Sequence, residues 1–169
     1  MTDLNTPELE TLGRYLDTYR RVVRWKLEGV GEEAARRPMV PSGTSLLGIV
    51  RHLGYVERWW FQSVIAGDDV DRPRIVEGDP DAEFRVGEDD TIGSVLDFYE
   101  AECDRSRQIL AGLRDPDSVR LVDGGDVSVR RILVHMVEEV ARHAGHMDIL
   151  RELIDGATGG FPPENGTGD

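Results

Sequence analysis

The spacing of apolar residues along the chain predicts four long helices. In the first, from Pro7 to Glu28, apolar side chains recur at three- and four-residue intervals: Leu9, Leu12, Leu16, Tyr19, Val23 and Leu27. Thr6 as a hydroxyl cap, Pro7 in the first turn and Gly29 after the last turn favour these ends. A short helical turn is expected at 32–37, before Pro38 and Pro41 extend the chain.

The other three helices have comparable start and stop signals. The second begins after Ser42, Thr44 or Ser45 and ends near Gly67. The third runs from Asp90 or Thr91 to Leu113, and the fourth from Ser128 to Gly156. Turns at 115–117 and 124–126, on either side of a short apolar piece at 119–122, connect the last two helices.

Residues 68–90, between the second and third helices, are rich in Asp, Glu, Gly and Pro, with room for a short extended piece at 83–86. A connection this long inside a compact domain is often functional. A solvated crossover between parallel helices is an alternative of equal weight. Four helices of about twenty residues, two long crossings and one core predict an all-α four-helix bundle over 1–156, followed by a flexible tail at 157–169.

Composition narrows the function classes. The chain has 169 residues, 39% of them hydrophobic and 31% charged, as in ordinary soluble globular proteins. A net charge of −13 disfavours binding to nucleic-acid phosphates and to anionic membranes. We find no apolar run of about 18 residues and no secretion signal at the N-terminus. The single cysteine, Cys103, precludes an internal disulfide and lies in an apolar register, so we expect a core residue in a cytoplasmic protein.

The last helix carries three of the four histidines. His135, Glu139, His143 and His146 lie within roughly 80° of one another on a helical wheel, so all four project from one face. Glu139 and His143, four residues apart, form half of a metal site, and His52 is the histidine available from another helix. Imidazole and carboxylate ligands suit zinc or nickel, and three protein ligands leave a coordination position open for catalysis.

The same pattern has a plainer interpretation. His52 would be a hydrogen-bonded core histidine, and Glu138 and Glu139 would pair with Arg142 on a solvated face. From the pattern alone, the metal site and this alternative have equal weight.

Two segments, PSGTSLLGIVRHLGYVERWWF and ILVHMVEEVARHAGHMDILRELIDGATG, resemble the DinB-like superfamily. They resemble in particular its actinobacterial branch of domains of unknown function, which is related to mycothiol-dependent maleylpyruvate isomerase. The resemblance spans residues 10–159. It implies a four-helix bundle whose metal is held by a histidine of the second helix, matching His52, and by two last-helix residues four apart, matching Glu139 and His143. Many members have histidine at both last-helix positions, whereas Glu139 is similar to the isomerase's His-Glu-His set.

The resemblance also implies a function. Characterised members use a low-molecular-weight thiol, mycothiol or bacillithiol, for transfer or isomerisation, and the arginine-rich composition fits a mycothiol-producing host. His146 does not match a ligand position and is expected to act as a general base or to contact a small-molecule substrate. The alternative is an imidazole that supports the site by a hydrogen bond or faces solvent. Arg142 is expected to bind a carboxylate of the thiol or substrate. Trp60 is expected to line the cofactor pocket or, with Trp59, a homodimer interface.

Two other interpretations stay open. One is a non-catalytic metal-binding bundle with a stress-related role. The other is a metal-free dimerisation bundle, which predicts that His52 lies more than about 6 Å from Glu139, well beyond the bonding range of one cation. Glu57, turned about 140° from His52 on the helix, is not expected to orient that histidine.

Overall fold

A computed structural model describes residues 7–71, 79, 81–122 and 124–162. Its five α-helices are α1 (Glu8–Trp25), α2 (Glu32–Arg36), α3 (Leu46–Glu57), α4 (Ile92–Gly112) and α5 (Val129–Asp155). A nine-residue π-helix, Arg58–Ala66, continues α3. A 3-10 turn, Ala82–Phe84, and two strands, β1 (Val119–Val122) and β2 (Gly125–Ser128), complete the described elements. The predicted all-α bundle is confirmed, with a small hairpin added.

Side-chain caps define where most of the long helices begin. Ser45, Thr91 and Ser128 each accept a hydrogen bond from the backbone N–H three residues later. Among the predicted alternatives, the structure therefore selects Ser45 for α3 and Thr91 for α4. Glycines in the left-handed conformation end the π-helix at Gly67 and α5 at Gly156, as the sequence predicts.

Four local predictions need correction. α1 ends at Trp25, three residues before the predicted Glu28, and turns lead from there to Gly29. Pro7, not Thr6, occupies the N-cap position of α1; Thr6 lies outside the described residues. The extended piece expected at 83–86 is wrong, because 82–84 form a 3-10 turn. The turn expected at 124–126 overlaps β2, which pairs antiparallel with β1 from Val119↔Ser128 to Val122↔Gly125. Positive φ values at Gly124 and Gly125 allow this tight reversal, so the short apolar piece finds a partner strand.

The four long helices close into a ring. α1 packs most extensively on α5 and α3 on α4, with smaller contacts from α3 to α5 and from α1 to α4. The 68–90 connection therefore joins neighbouring helices, α3 and α4. A connection of this length could also have joined helices that are not adjacent. The centre of the bundle contains fully buried side chains from the helices around it: Leu16, Leu47, Ile49, Leu53, Phe61, Leu133, Met136 and Met147.

One buried ion pair connects α1 to the end of α3. The guanidinium of Arg20 binds both carboxylate oxygens of Glu57, at 2.9 and 2.6 Å, and the side chains are 3% and 0% exposed. Burial alone would lower the pKa of Arg20, but the charge and hydrogen bonds of Glu57 raise it above its usual value. Because Glu57 is engaged by Arg20, it is not a carboxylate partner of the His52 ring, as the helical wheel predicts.

The described part of the C-terminal segment, residues 157–162, lies against α1. Lys26, the only lysine of the chain, donates from Nζ to the carbonyl of Gly159 and forms an ion pair with Asp148 at 2.6 Å. The ring of Phe161 lies 6.3 Å from that of Tyr19. These contacts hold the start of the predicted tail on the bundle.

Candidate metal centre

Two helices bring His52, Glu139 and His143 together. Nε2 of His52 lies 3.3 Å from Oε1 of Glu139, and Nε2 of His143 lies 3.2 Å from the same oxygen. One candidate ligand atom from each of the three side chains lies within 4.8 Å of the others. The contact between His52 and Glu139 contradicts the metal-free dimerisation interpretation, which expects more than about 6 Å between them.

Packing of the flanking residues fixes the direction of these side chains. On α5, Met136, Val140, Ala144 and Met147 are buried in the core, so Glu139 and His143 stand beside the buried stripe rather than opposite to it. The side chains of His52, Glu139 and His143 are 12%, 21% and 12% exposed. Because each remains partly open to solvent, a small molecule can approach the cluster.

The cluster carries a stable negative charge at Glu139. Hydrogen bonds from His143 and then His52 hold the pKa of this carboxyl far below its usual range. Burial lowers the pKa of His52, but its hydrogen bonds to Glu139 and Glu83 outweigh burial and raise it. An ionised carboxylate between two imidazoles is a suitable donor set for a divalent cation.

A fourth residue, Glu83, was not among the sequence-predicted site residues. Its Oε2 lies 3.1 Å from Nδ1 of His52, on the edge of the ring opposite Glu139. The neighbouring ring of Phe84 stacks on His52, with centroids 4.0 Å apart and an angle of 15°. The length and acidity of the 68–90 connection were the only sequence signals for this contact, and they could not single out one of its many acidic residues.

The donor geometry fits a metal ion. Two ligands that each lie about 2.0–2.1 Å from a tetrahedral zinc are separated by about 3.4 Å, close to the two contacts of Glu139 Oε1. His52 has a carboxylate oxygen at both ring nitrogens; the protonated ring can donate to both, whereas the neutral imidazole of a metal ligand donates from only one. If Nδ1 donates to Glu83, the Nε2 lone pair faces the cluster, as in metal-ligating histidines.

Comparison with known proteins assigns the family. A family model described as mycothiol-S-transferase matches residues 11–156, which include all three residues of the cluster. The chain belongs to the mycothiol S-transferase family. The resemblance to the DinB-like superfamily is thereby confirmed.

A solved structure supports the fold of this mycothiol S-transferase family member. It is a conserved protein of a locus from Enterococcus faecalis, with a TM-score of 0.75 and 14% identity. The alignment covers 90% of this chain and 99% of that chain, and at this identity it shows the fold alone. A search of curated proteins finds no match.

The other predicted site residues of this family member lie on two elements: His146 and Arg142 are close to His143 along α5, whereas Trp60 is in the π-helix. The ring of His146 is 5.3 Å from that of His143, and His146 and Arg142 are both exposed on α5. Burial lowers the pKa of His146, and the charges of His143 and Arg142 lower it further. Trp60, in the π-helix, contacts the ring of His135 edge-on at 5.0 Å. His135 therefore packs against Trp60, one turn of α5 before Glu139.

Two grooves on the described surface run between α1 and α4. One is lined by Arg20, Tyr99, Cys103 and their neighbours. The other is lined by residues at the start of α1 and at the end of α4, among them Leu9 and Leu110. Neither includes a residue of the cluster, so donor chemistry rather than cavity size identifies the site.

None of the described helices combines the length and apolarity needed to cross a membrane.

Proposed function

We propose that this protein is a metal-dependent S-transferase that uses mycothiol, with His52, Glu139 and His143 as the ligands of a divalent cation, zinc or nickel. The observation that carries the proposal is the convergence of two imidazole Nε2 atoms, from α3 and α5, on one carboxylate oxygen. Membership in the mycothiol S-transferase family supports the choice of thiol.

The three ligands set the charge of the site. Two neutral imidazoles and one carboxylate contribute a single negative charge. A divalent cation there would retain a net positive charge and would lower the pKa of a thiol bound at its open position, so that the thiolate nucleophile forms near neutral pH. The ligand side chains are 12–21% exposed, which gives a thiol access to the cluster from solvent.

Neighbouring residues have assigned roles in this proposal. His146, one turn beyond His143, contacts the substrate or accepts its proton. Arg142, exposed on the same helix, binds a carboxylate of the thiol or of the acceptor. Trp60 contributes an aromatic wall to the thiol site.

Metal binding is the first test. Elemental analysis should find one zinc or nickel per chain, and Glu139→Gln and His143→Ala should abolish it. Zinc at 100 times its Kd should stabilise the wild type by about 2.7 kcal/mol, or about 8 °C at roughly 2.1 cal/mol/K per residue. The matched control is Glu138→Gln, which changes the adjacent, exposed carboxylate and should leave metal content unchanged. A wild type with no metal and no thermal shift would remove the proposal.

Thiol transfer is the second test. The metal-loaded protein should conjugate mycothiol to an electrophilic acceptor, and His146→Ala should keep the metal but lose about 10²–10⁴-fold in rate. A protein that binds metal but transfers no thiol would instead support the non-catalytic metal-binding bundle. Isomerase activity, a homodimer and a cytoplasmic location stay predictions.

A further inference from the structure

We propose that Glu83 is a positioning residue for the metal centre: its carboxylate fixes the orientation and tautomer of His52. The inference rests on the proposed metal site. It extends the site from two helices to the connection between α3 and α4, which supplies a contact to a ligand rather than a ligand itself.

The contact is within hydrogen-bond distance and largely shielded from solvent. Oε2 of Glu83 lies 3.1 Å from Nδ1 of His52, and the two side chains are 8% and 12% exposed. Nε2, which faces Glu139 at 3.3 Å, lies across the same ring. Because Glu83 and Glu139 occupy opposite edges of the imidazole, a cation at the Glu139 edge is out of reach of the Glu83 contact.

The turn that carries Glu83 is fastened to α3 by several contacts. Arg51 donates to the carbonyl oxygens of Ala82 and Glu83, at 3.3 and 2.9 Å. Phe84 stacks on His52. Its carbonyl oxygen lies so close to Gly48 that a Cβ added to this glycine would be only 2.6 Å from the oxygen. The turn therefore packs into the helix surface, unlike a solvated crossover, and holds its carboxylate at a defined place.

A carboxylate at Nδ1 has a specific effect on a ligating histidine. The carboxylate accepts a hydrogen bond from Nδ1–H, which leaves the lone pair on Nε2. It also makes Nε2 more basic toward a cation. Loss of such partners weakens metal affinity by about 10–100-fold.

The test compares zinc affinity in variants of the full chain, measured by competition with a chromophoric chelator. Glu83→Met removes the acceptor at similar side-chain length and should weaken zinc binding by about 10–100-fold. Glu83→Gln keeps an amide oxygen that can accept a hydrogen bond from Nδ1–H, so this variant should lose less zinc affinity. Glu88→Gln, an exposed carboxylate of the same connection, is the control and should match the wild type.

A spectroscopic measurement separates positioning from a general structural role. In the zinc-loaded wild type, the Nδ1 proton of His52 should give a downfield NMR signal that exchanges slowly with water, and this exchange should accelerate in Glu83→Met. If Glu83→Met fails to fold, Glu83→Gln is the deciding variant, and its zinc affinity should be measurably lower than that of the wild type. Equal zinc affinities in the wild type and the Glu83 variants would overturn the positioning role alone. Absence of zinc binding in the wild type would overturn the metal site as well.

Discussion

The buried Arg20–Glu57 pair gives a stability prediction that is independent of any metal. Glu57→Gln keeps the side-chain size but leaves the guanidinium, 3% exposed, without its main charge partner. Removal of one member of a buried pair costs about 3–5 kcal/mol of unfolding free energy, because the remaining charge stays desolvated. Asp17 lies 2.9 Å from Arg20 but is 43% exposed, so solvent screens it and it compensates only in part.

This loss converts to a large change in melting temperature. At roughly 2.1 cal/mol/K per residue, a chain of 169 residues has an unfolding entropy of about 0.35 kcal/mol/K. A loss of about 3–5 kcal/mol therefore lowers Tm by roughly 8–14 °C.

The assay is thermal and urea unfolding of the metal-stripped protein. A double variant, Arg20→Met with Glu57→Leu, removes both charges and should recover most of the loss, because neither charge remains buried. Asp68→Asn breaks an exposed pair with Arg105, 3.3 Å apart and almost half exposed on each side, and should cost less than about 1 kcal/mol. A loss for Glu57→Gln no greater than that of this control would refute a large cost of the unpaired guanidinium, and so would a double variant as unstable as the sum of its single changes.

Two further predictions follow from close packing and burial. Gly48→Ala should weaken zinc binding several-fold, because its methyl group would lie 2.6 Å from the Phe84 carbonyl oxygen and push the Glu83 turn away from His52. Gly112→Ala, with no atom within 4 Å of the added Cβ, should bind zinc normally, and equal affinities in the two variants would contradict this account. Burial raises the pKa of the Cys103 thiol far above its usual range, so iodoacetamide should not alkylate the folded protein at pH 8–9. Mass spectrometry should find full alkylation only after unfolding, and rapid labelling of the native state would show that the thiol is accessible.

The helices and the cluster were predictable because their signals are local. Apolar spacing and glycine stops are properties of neighbouring residues, so the ends at Gly67 and Gly156 could be read from the sequence. Glu139 and His143 share a helix face by spacing alone. Their partner on α3 required one long-range assumption, that the one histidine outside α5 faces them. The resemblance to a family supported this assumption, and the 3.3 Å contact of His52 with Glu139 agrees with it.

The remaining features depend on tertiary packing. The π-helix at 58–66 has a composition that also suits an α-helix, so the sequence predicts a single α-helix continuing to Gly67. The hairpin was missed because 119–122 is short and gains its partner only when the chain reverses at Gly124. Glu83 is one of many acidic residues in a long connection, and only the packing of its turn on Gly48 distinguishes it.

The structure also explains how α3 keeps His52 directed at the cluster. His52 and Glu57 lie five residues apart and therefore point about 140° apart on the helix. Glu57 is held on one side by Arg20 of α1, while His52 is held on another by Glu83 and the ring of Phe84. Restraints on these two faces add to the core packing of α3 in opposing its rotation about its axis. We therefore expect Glu57→Gln to reduce zinc affinity as well as stability, but by less than Glu83→Met, because only Glu83 contacts the imidazole directly. If Glu57→Gln weakened zinc binding more than Glu83→Met, orientation of α3 as a whole would matter more than the contact at Nδ1.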